Sequence, residues 1–190
     1  MSGGGSSSSS ADERHAFGGA VSFILSNSFR SESRHLFDRQ EMFVETNSGR
    51  TLLVHIAEQD QLAAAESAKS TFTQIAKQHG GQCEILLERQ LPPGFAPHLG
   101  PDCRSHAVVG HQRLNLSNPK SNSESTSRLF LISSRLPQVF KDLIVLLVVP
   151  VDGLGASPES EMAEFRKASG EFTIQKVLQS LEIHDWSVFA

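Results

Sequence analysis

Several groups of side chains in this sequence have residue types that carry chemistry. His55, Glu58 and Asp60 are metal-ligand types close together in the chain. His55 and Glu58 are three apart on a stretch that reads as a strand, so they point to opposite faces. No HExxH, clustered Cys/His or calcium-loop spacing accompanies them, and no metal is expected. Cys103 with His106 or His111 is the material of a thiolate–imidazole nucleophile. That chemistry needs a strand-to-helix elbow and backbone donors for an oxyanion, and neither is present. Cys103 instead follows a proline-rich loop, where an unreactive free thiol is the simpler reading. Gly18-Gly19 and Gly153-Leu154-Gly155 lack the GKS/GKT and following helix of a phosphate-binding loop. No cofactor and no catalysis are expected.

What remains is carboxylate at loop and strand ends: Asp38 and Glu41, then Glu58 and Asp60. If Glu41–Glu45 and Arg50–Glu58 pair antiparallel, Glu41 and Glu58 fall at the same end. Solvated charge is the ordinary state of such positions. Gathered together, the same groups would form a rim suited to a basic partner.

The elements that position them follow from apolar spacing. Leu143–Val149 is an unbroken run rich in β-branched residues, much shorter than the about 20 residues of a membrane span, and reads as a strand buried on both faces. Arg128–Arg135 is its neighbour, and the short Leu136-Pro137-Gln138 link requires an antiparallel pair. This hairpin is expected at the centre of the sheet. The Asn47-Ser48-Gly49 turn makes a second hairpin of Glu41–Glu45 and Arg50–Glu58. Val21, Phe23 and Leu25 alternate in a further strand, and Glu84–Gln90 and Ser105–Leu116 add two more. Leu62, Ala65, Ala68, Phe72, Ile75 and Ala76 mark one helix over Asp60–Gly81, with Asp60 as cap and Gly80-Gly81 as stop. Ile174, Val177, Leu178 and Leu181 mark another over Glu171–Leu181. A short helix over Glu32–Phe37 would be capped by Ser31. Leu91–Asp102, Ser117–Ser127 and Val151–Gly170 read as connections.

Helices inserted between hairpins, rather than alternating with strands, favour α+β with a mostly antiparallel sheet. Residues 1–14 read as a flexible Gly/Ser-rich tail and 15–190 as one domain. A net charge of −4 argues against non-specific nucleic-acid binding. Two cysteines outside any CxxC motif, and no apolar signal stretch, point to cytosol or nucleus.

Three segments carry a resemblance. FGGAVSFIL with DRQEMFV at Asp38–Val44, then SRLPQVFKDLIVLLVVP, then SLEIHDWSVF occur in order over Phe17–Phe189. Together they resemble the Ran guanine-nucleotide release factors, the Mog family of the Mog/PsbP-like fold. The resemblance implies a single-domain α/β/α sandwich around a mostly antiparallel sheet. It also implies a non-enzymatic regulator that binds the small GTPase Ran and promotes nucleotide release, supporting nuclear protein transport from nucleus and cytoplasm. A monomer that binds neither nucleic acid nor membrane is expected. The family's Ran-facing patch is acidic near the end of the strand reading LLVHIAE here. Glu58 matches one carboxylate, His55 stands where the family usually has another, and Asp38 and Glu41 match acidic positions of the preceding motif. The expected Ran-binding set is Asp38, Glu41, His55, Glu58 and Asp60. The resemblance makes His184-Asp185 a structural turn with Trp186 and Phe189 packed back on the core. The alternative is an adaptor of the same fold, acting in protein trafficking or complex assembly and binding no GTPase.

Overall fold

The computed structural model describes residues 11–32, 39–78, 82–115, 124–151 and 174–190. Strands β1 (Ala11–Ala16), β2 (Val21–Ser26), β3 (Phe29–Glu32), β4 (Gln40–Glu45) and β5 (Thr51–Glu58) precede helix α1 (Ala64–Gln78). Strands β6 (Gln82–Gln90), β7 (Arg104–Asn115), β8 (Glu124–Leu136) and β9 (Lys141–Val151) follow, then helix α2 (Ile174–Ser180) and strand β10 (Glu182–Ile183). Short 3₁₀ turns lie at Phe17–Gly19, Pro97–Leu99, Pro137–Val139 and Trp186–Phe189.

The apolar run of β9 sits where its composition demands. The main sheet has the order β3-β4-β5-β9-β8-β7-β6, with β9 in the middle and every pair antiparallel. Both faces of β9 are covered. Leu143, Val145 and Leu147 join Leu52, Val54 and Ile56 in one core, with Val21, Phe23 and Leu25 of β2 and Ile174, Val177 and Leu178 of α2. Ile144 and Leu146 join Leu53, Leu129 and Leu131 in the other, under Ala68, Phe72, Ile75 and Ala76 of α1. The layers are therefore α1, the seven-stranded sheet, and a mixed layer of α2 with a three-stranded sheet β1-β2-β10.

That second sheet departs from the expected sandwich of two helical layers around one sheet. Its first strand, β1, pairs with β2 from Ala11↔Ser26 to Ala16↔Val21, so paired chain begins inside the stretch read as tail. Asp60 does not cap α1. The Ser67 N–H donates to the Ala63 carbonyl, so the first helical bond lies three residues beyond Asp60, and Leu62 precedes the helix with its side chain largely exposed. Ser31 and Glu32 belong to β3 rather than to a helix start, and the rest of that expected helix lies outside the described residues. Gly80-Gly81 also lies outside them, as does 152–173, which holds most of the connection after β9. Strand β8 begins at Glu124, inside the expected loop.

Gly110 on β7 is required by close approach. A Cβ there would lie 2.7 Å from the Phe72 ring and even nearer the Glu84 carbonyl oxygen, beside the bulge between Ile85 and Leu87. Only a glycine lets α1 seat Phe72 against the sheet at this point.

Candidate functional site

Antiparallel register brings several strand ends to one edge of the main sheet. The end of β5 meets the start of β9 at Glu58↔Lys141, and the end of β8 meets it at Leu136↔Lys141. Arg39, just before β4, belongs to the same edge, because its carbonyl accepts the Ile56 N–H at 3.1 Å. The Pro137–Val139 turn closes the β8–β9 connection, with the Phe140 N–H donating to the Pro137 carbonyl. The Gln59 N–H in turn donates to the Phe140 carbonyl, which ties the chain after β5 to this corner.

The charged groups here are paired. Lys141 Nζ donates to both carboxylate oxygens of Glu58, at 2.6 and 2.7 Å. The lysine side chain is 11% exposed and the glutamate 78%, so Glu58 caps a nearly buried cation from the solvent side. Hydrogen bonding and charge from Lys141, with a contribution from Arg39, hold the Glu58 carboxyl below the usual carboxylate range. Asp60 accepts from Arg135 Nη2 at 3.2 Å and from the Leu62 N–H. Arg135 also forks onto Asp142, with Nε to Oδ1 at 3.0 Å and Nη2 to Oδ2 at 3.1 Å, and gives Nη1 to the Leu62 carbonyl at 2.8 Å. Asp142 is buried and accepts from the Ser67 hydroxyl of α1. One guanidinium thus joins the β8–β9 corner to the segment entering α1. Its planar fork suits a task that a lysine could not do equally well.

Other expected site residues have different surroundings. Glu41 lies opposite Val54, and its Oε1 accepts the Phe17 N–H at 3.2 Å, holding the Phe17-Gly18-Gly19 turn in which all three residues have positive φ. It is tied toward the small sheet rather than standing free beside Glu58. The His55 Nδ1 lies 3.2 Å from the Arg39 carbonyl, which can only accept, so that nitrogen carries the proton. Burial lowers the pKa of His55, partly opposed by this bond, so the ring is neutral at pH 7. Asp38 lies outside the described residues. The edge therefore gathers Glu58 and Asp60, with His55 a little way in, and the bare acidic rim becomes alternating ion pairs.

Sequence reasoning missed Arg135, Lys141 and Phe140. Lys141 is the register neighbour of Glu58, whereas Arg135 reaches Asp60 from β8 through its side chain, and both pairings appear only once the strands are aligned. Phe140 is 75% exposed, the largest exposure among the large hydrophobic residues described. Its place just outside the apolar run beginning at Leu143 was the available signal. Beside this corner a cleft of about 1230 Å³ opens between the Pro92–Pro101 loop and Arg135 with Pro137; Phe95 and Cys103 also line it. Burial pushes the Cys103 thiol up, the reverse of what activates a nucleophile, and the nearby His106 ring is held neutral by burial and by Arg135 and Arg104. His184 and Asp185 form no relay. His184 Nε2 lies 2.7 Å from the Ser22 hydroxyl, whereas Asp185 caps Ser187 N–H at the terminal 3₁₀ turn. Phe189 is fully buried there, with its ring 5.6 Å from that of Trp186.

The sequence model of the family described as "Ran-interacting Mog1 protein" matches residues 14–150, which cover the main sheet except for the last residue of β9, Val151. The chain belongs to the Mog1 family. Its fold is similar to the 1.9 Å crystal structure of the Ran-binding protein Mog1p from Saccharomyces cerevisiae, at 16% identity and a TM-score of 0.66, covering 96% of this chain and all of that one. A point mutant of Mog1 gives 16% identity and a TM-score of 0.64, covering 95% of this chain and 100% of the other. The solution structure of cyanobacterial PsbP from Synechocystis sp. PCC 6803 shares 11% identity at a TM-score of 0.55, covering 97% and 98% of the two chains. No curated protein matches the sequence significantly. The Mog1 match and the PsbP likeness agree with a Mog/PsbP-like fold built on antiparallel sheets.

Proposed function

We propose that this Mog1-family chain binds the GTPase Ran and promotes release of its guanine nucleotide, supporting nuclear protein transport. The observation that carries the reading is the family match over residues 14–150, a span containing the edge where Glu58, Asp60, Arg135 and Lys141 meet. No bond is made or broken. A protein that prefers the nucleotide-free or rearranged GTPase lowers nucleotide affinity by its own coupling free energy, and each 1.4 kcal/mol of that preference changes affinity about tenfold.

The ion pairs give this a physical form. Glu58 is exposed yet engaged, so a basic group on Ran meets its carboxylate in competition with Lys141. Asp60 presents an oxygen already oriented by Arg135. His55, neutral at pH 7, contributes hydrogen bonding rather than charge. Glu41 is expected to act mainly by holding the Phe17 turn, which makes Glu58 the cleaner probe. Release of a fluorescent guanine nucleotide from Ran should accelerate with the wild-type chain, and Glu58→Lys should reduce the acceleration. A Glu58→Lys variant with full activity would remove this edge from the interface while leaving Ran as partner. If Ran is neither bound nor affected, the adaptor of the same fold is favoured.

A further inference from the structure

Phe140 presents two unfavourable features at once. Its backbone is left-handed, with φ 54° and ψ 39°, where glycine or asparagine is the ordinary occupant. The residue is 75% exposed, whereas the two after it, Lys141 and Asp142, are both buried. Left-handed conformation in a bulky residue persists only where the surroundings over-determine it. Here they do: the Phe140 N–H is bonded to the Pro137 carbonyl, and its carbonyl receives the Gln59 N–H. The corner holds the backbone firmly and turns the ring outward, so neither unfavourable feature is offset by packing of the ring. The charged groups on either side are engaged with one another: Glu58 with Lys141, and Asp60 with Arg135 and through it Asp142. Leu62, 47% exposed, lies on the same corner through the Arg135 bond to its carbonyl.

We propose that Phe140 is the apolar anchor of this edge, inserted on binding into a recess of Ran that is bordered by basic side chains. This rests on the Ran reading and adds to it the residue that supplies desolvated contact area. A rigid aromatic enclosed by charged pairs is the arrangement in which a single interface residue dominates affinity: the ring is buried on binding, while the pairs around it exclude water and select the sign of the partner's charge. Within these pairs it is the carboxylates that face solvent, Glu58 at 78% and Asp60 at 41% exposed against 11% for Lys141 and 14% for Arg135, which favours a basic border on the partner.

The test uses the full chain and nucleotide-free Ran, with affinity measured by titration calorimetry and stability by thermal unfolding. Phe140→Gly removes the ring and suits the positive φ, so its melting temperature should equal or exceed that of the wild type. Its affinity for Ran should fall about 30-fold, and Phe140→Ala should do the same. Phe140→Tyr should retain most of the binding. Wild-type binding with undiminished affinity of Phe140→Gly would overturn the anchor and leave the Ran reading intact. A lower melting temperature for Phe140→Gly would show that the ring packs within the chain, which also overturns the proposal. No binding by the wild type would remove the Ran reading and the anchor together.

Discussion

Arg135→Ala should be among the most destabilising single changes at this edge, because of what it leaves behind. Arg135 is 14% exposed and Asp142 only 4% exposed in their side chains. The substitution deletes two bonds to Asp142, one to Asp60 and one to the Leu62 carbonyl. Asp142 would then keep the Ser67 hydroxyl, at 3.2 Å, as the side-chain partner seen among the described residues. Stranding one member of a buried pair typically costs about 3–5 kcal/mol. For a chain of this size that is roughly 6–20 °C in melting temperature. Asp142→Asn removes the stranded charge, so the double variant should be more stable than the sum of the singles by about 2 kcal/mol. Urea unfolding of the four proteins, at constant slope, gives that coupling directly. Arg135→Lys should recover only part of the loss, since an ammonium cannot reproduce the fork. A cost below about 1 kcal/mol for Arg135→Ala, or strict additivity in the cycle, would refute the claim that this guanidinium holds the corner together.

Glu45 supplies a pH prediction. Hydrogen bonds from Arg50, Ser28 and Ser48 outweigh its burial and lower its pKa from 4.5 to about 2. A depressed folded-state pKa gives stability that is present above pH 4.5 and lost as pH falls toward 2. That difference corresponds to roughly 3–4 kcal/mol as an upper limit, lowered by solvent screening, and Glu45→Gln should flatten the acid limb of stability between those values. An unchanged limb would remove Glu45 as its source. Gly110→Ala should cost about 1–3 kcal/mol in urea unfolding because Phe72 and the Glu84 backbone must move; no loss would mean that the approach of α1 relaxes freely. Thiol labelling of Cys103 near pH 7 should be slower than that of a free thiol in solution, since burial raises its pKa. Rapid labelling would reopen a nucleophilic role for this residue.

The parts of the fold that local pattern controls were legible beforehand. Leu143–Val149 could only be a doubly covered strand, and it lies at the centre of the sheet. The Asn47-Ser48-Gly49 turn set the β4–β5 register, with Gly49 at φ +68° and its N–H donating to the Glu45 carbonyl. The stripe on α1 named the residues that meet the sheet, although Leu62 fell outside it. Strand β1 was not legible. ADERHA has one buried side chain, Ala16, and its pairing partner β2 already read as a complete strand. The site was half legible. Residue type and resemblance pointed to Glu58 and Asp60, but the cations that hold them come from β8 and β9, more than 70 residues away. Glu41 looked equivalent to Glu58 in sequence; only the path of the Phe17 turn shows that its carboxylate also holds that turn. Phe140 was not singled out in the sequence, and neither its left-handed backbone nor its exposure is announced by residue type alone.

The most direct test of the account is the dissociation rate of a fluorescent guanine nucleotide from Ran, measured with increasing amounts of the full chain. Release should accelerate to a plateau, and Glu58→Lys should lower the acceleration. A release rate unchanged at saturating chain, with no binding to nucleotide-free Ran, would contradict it.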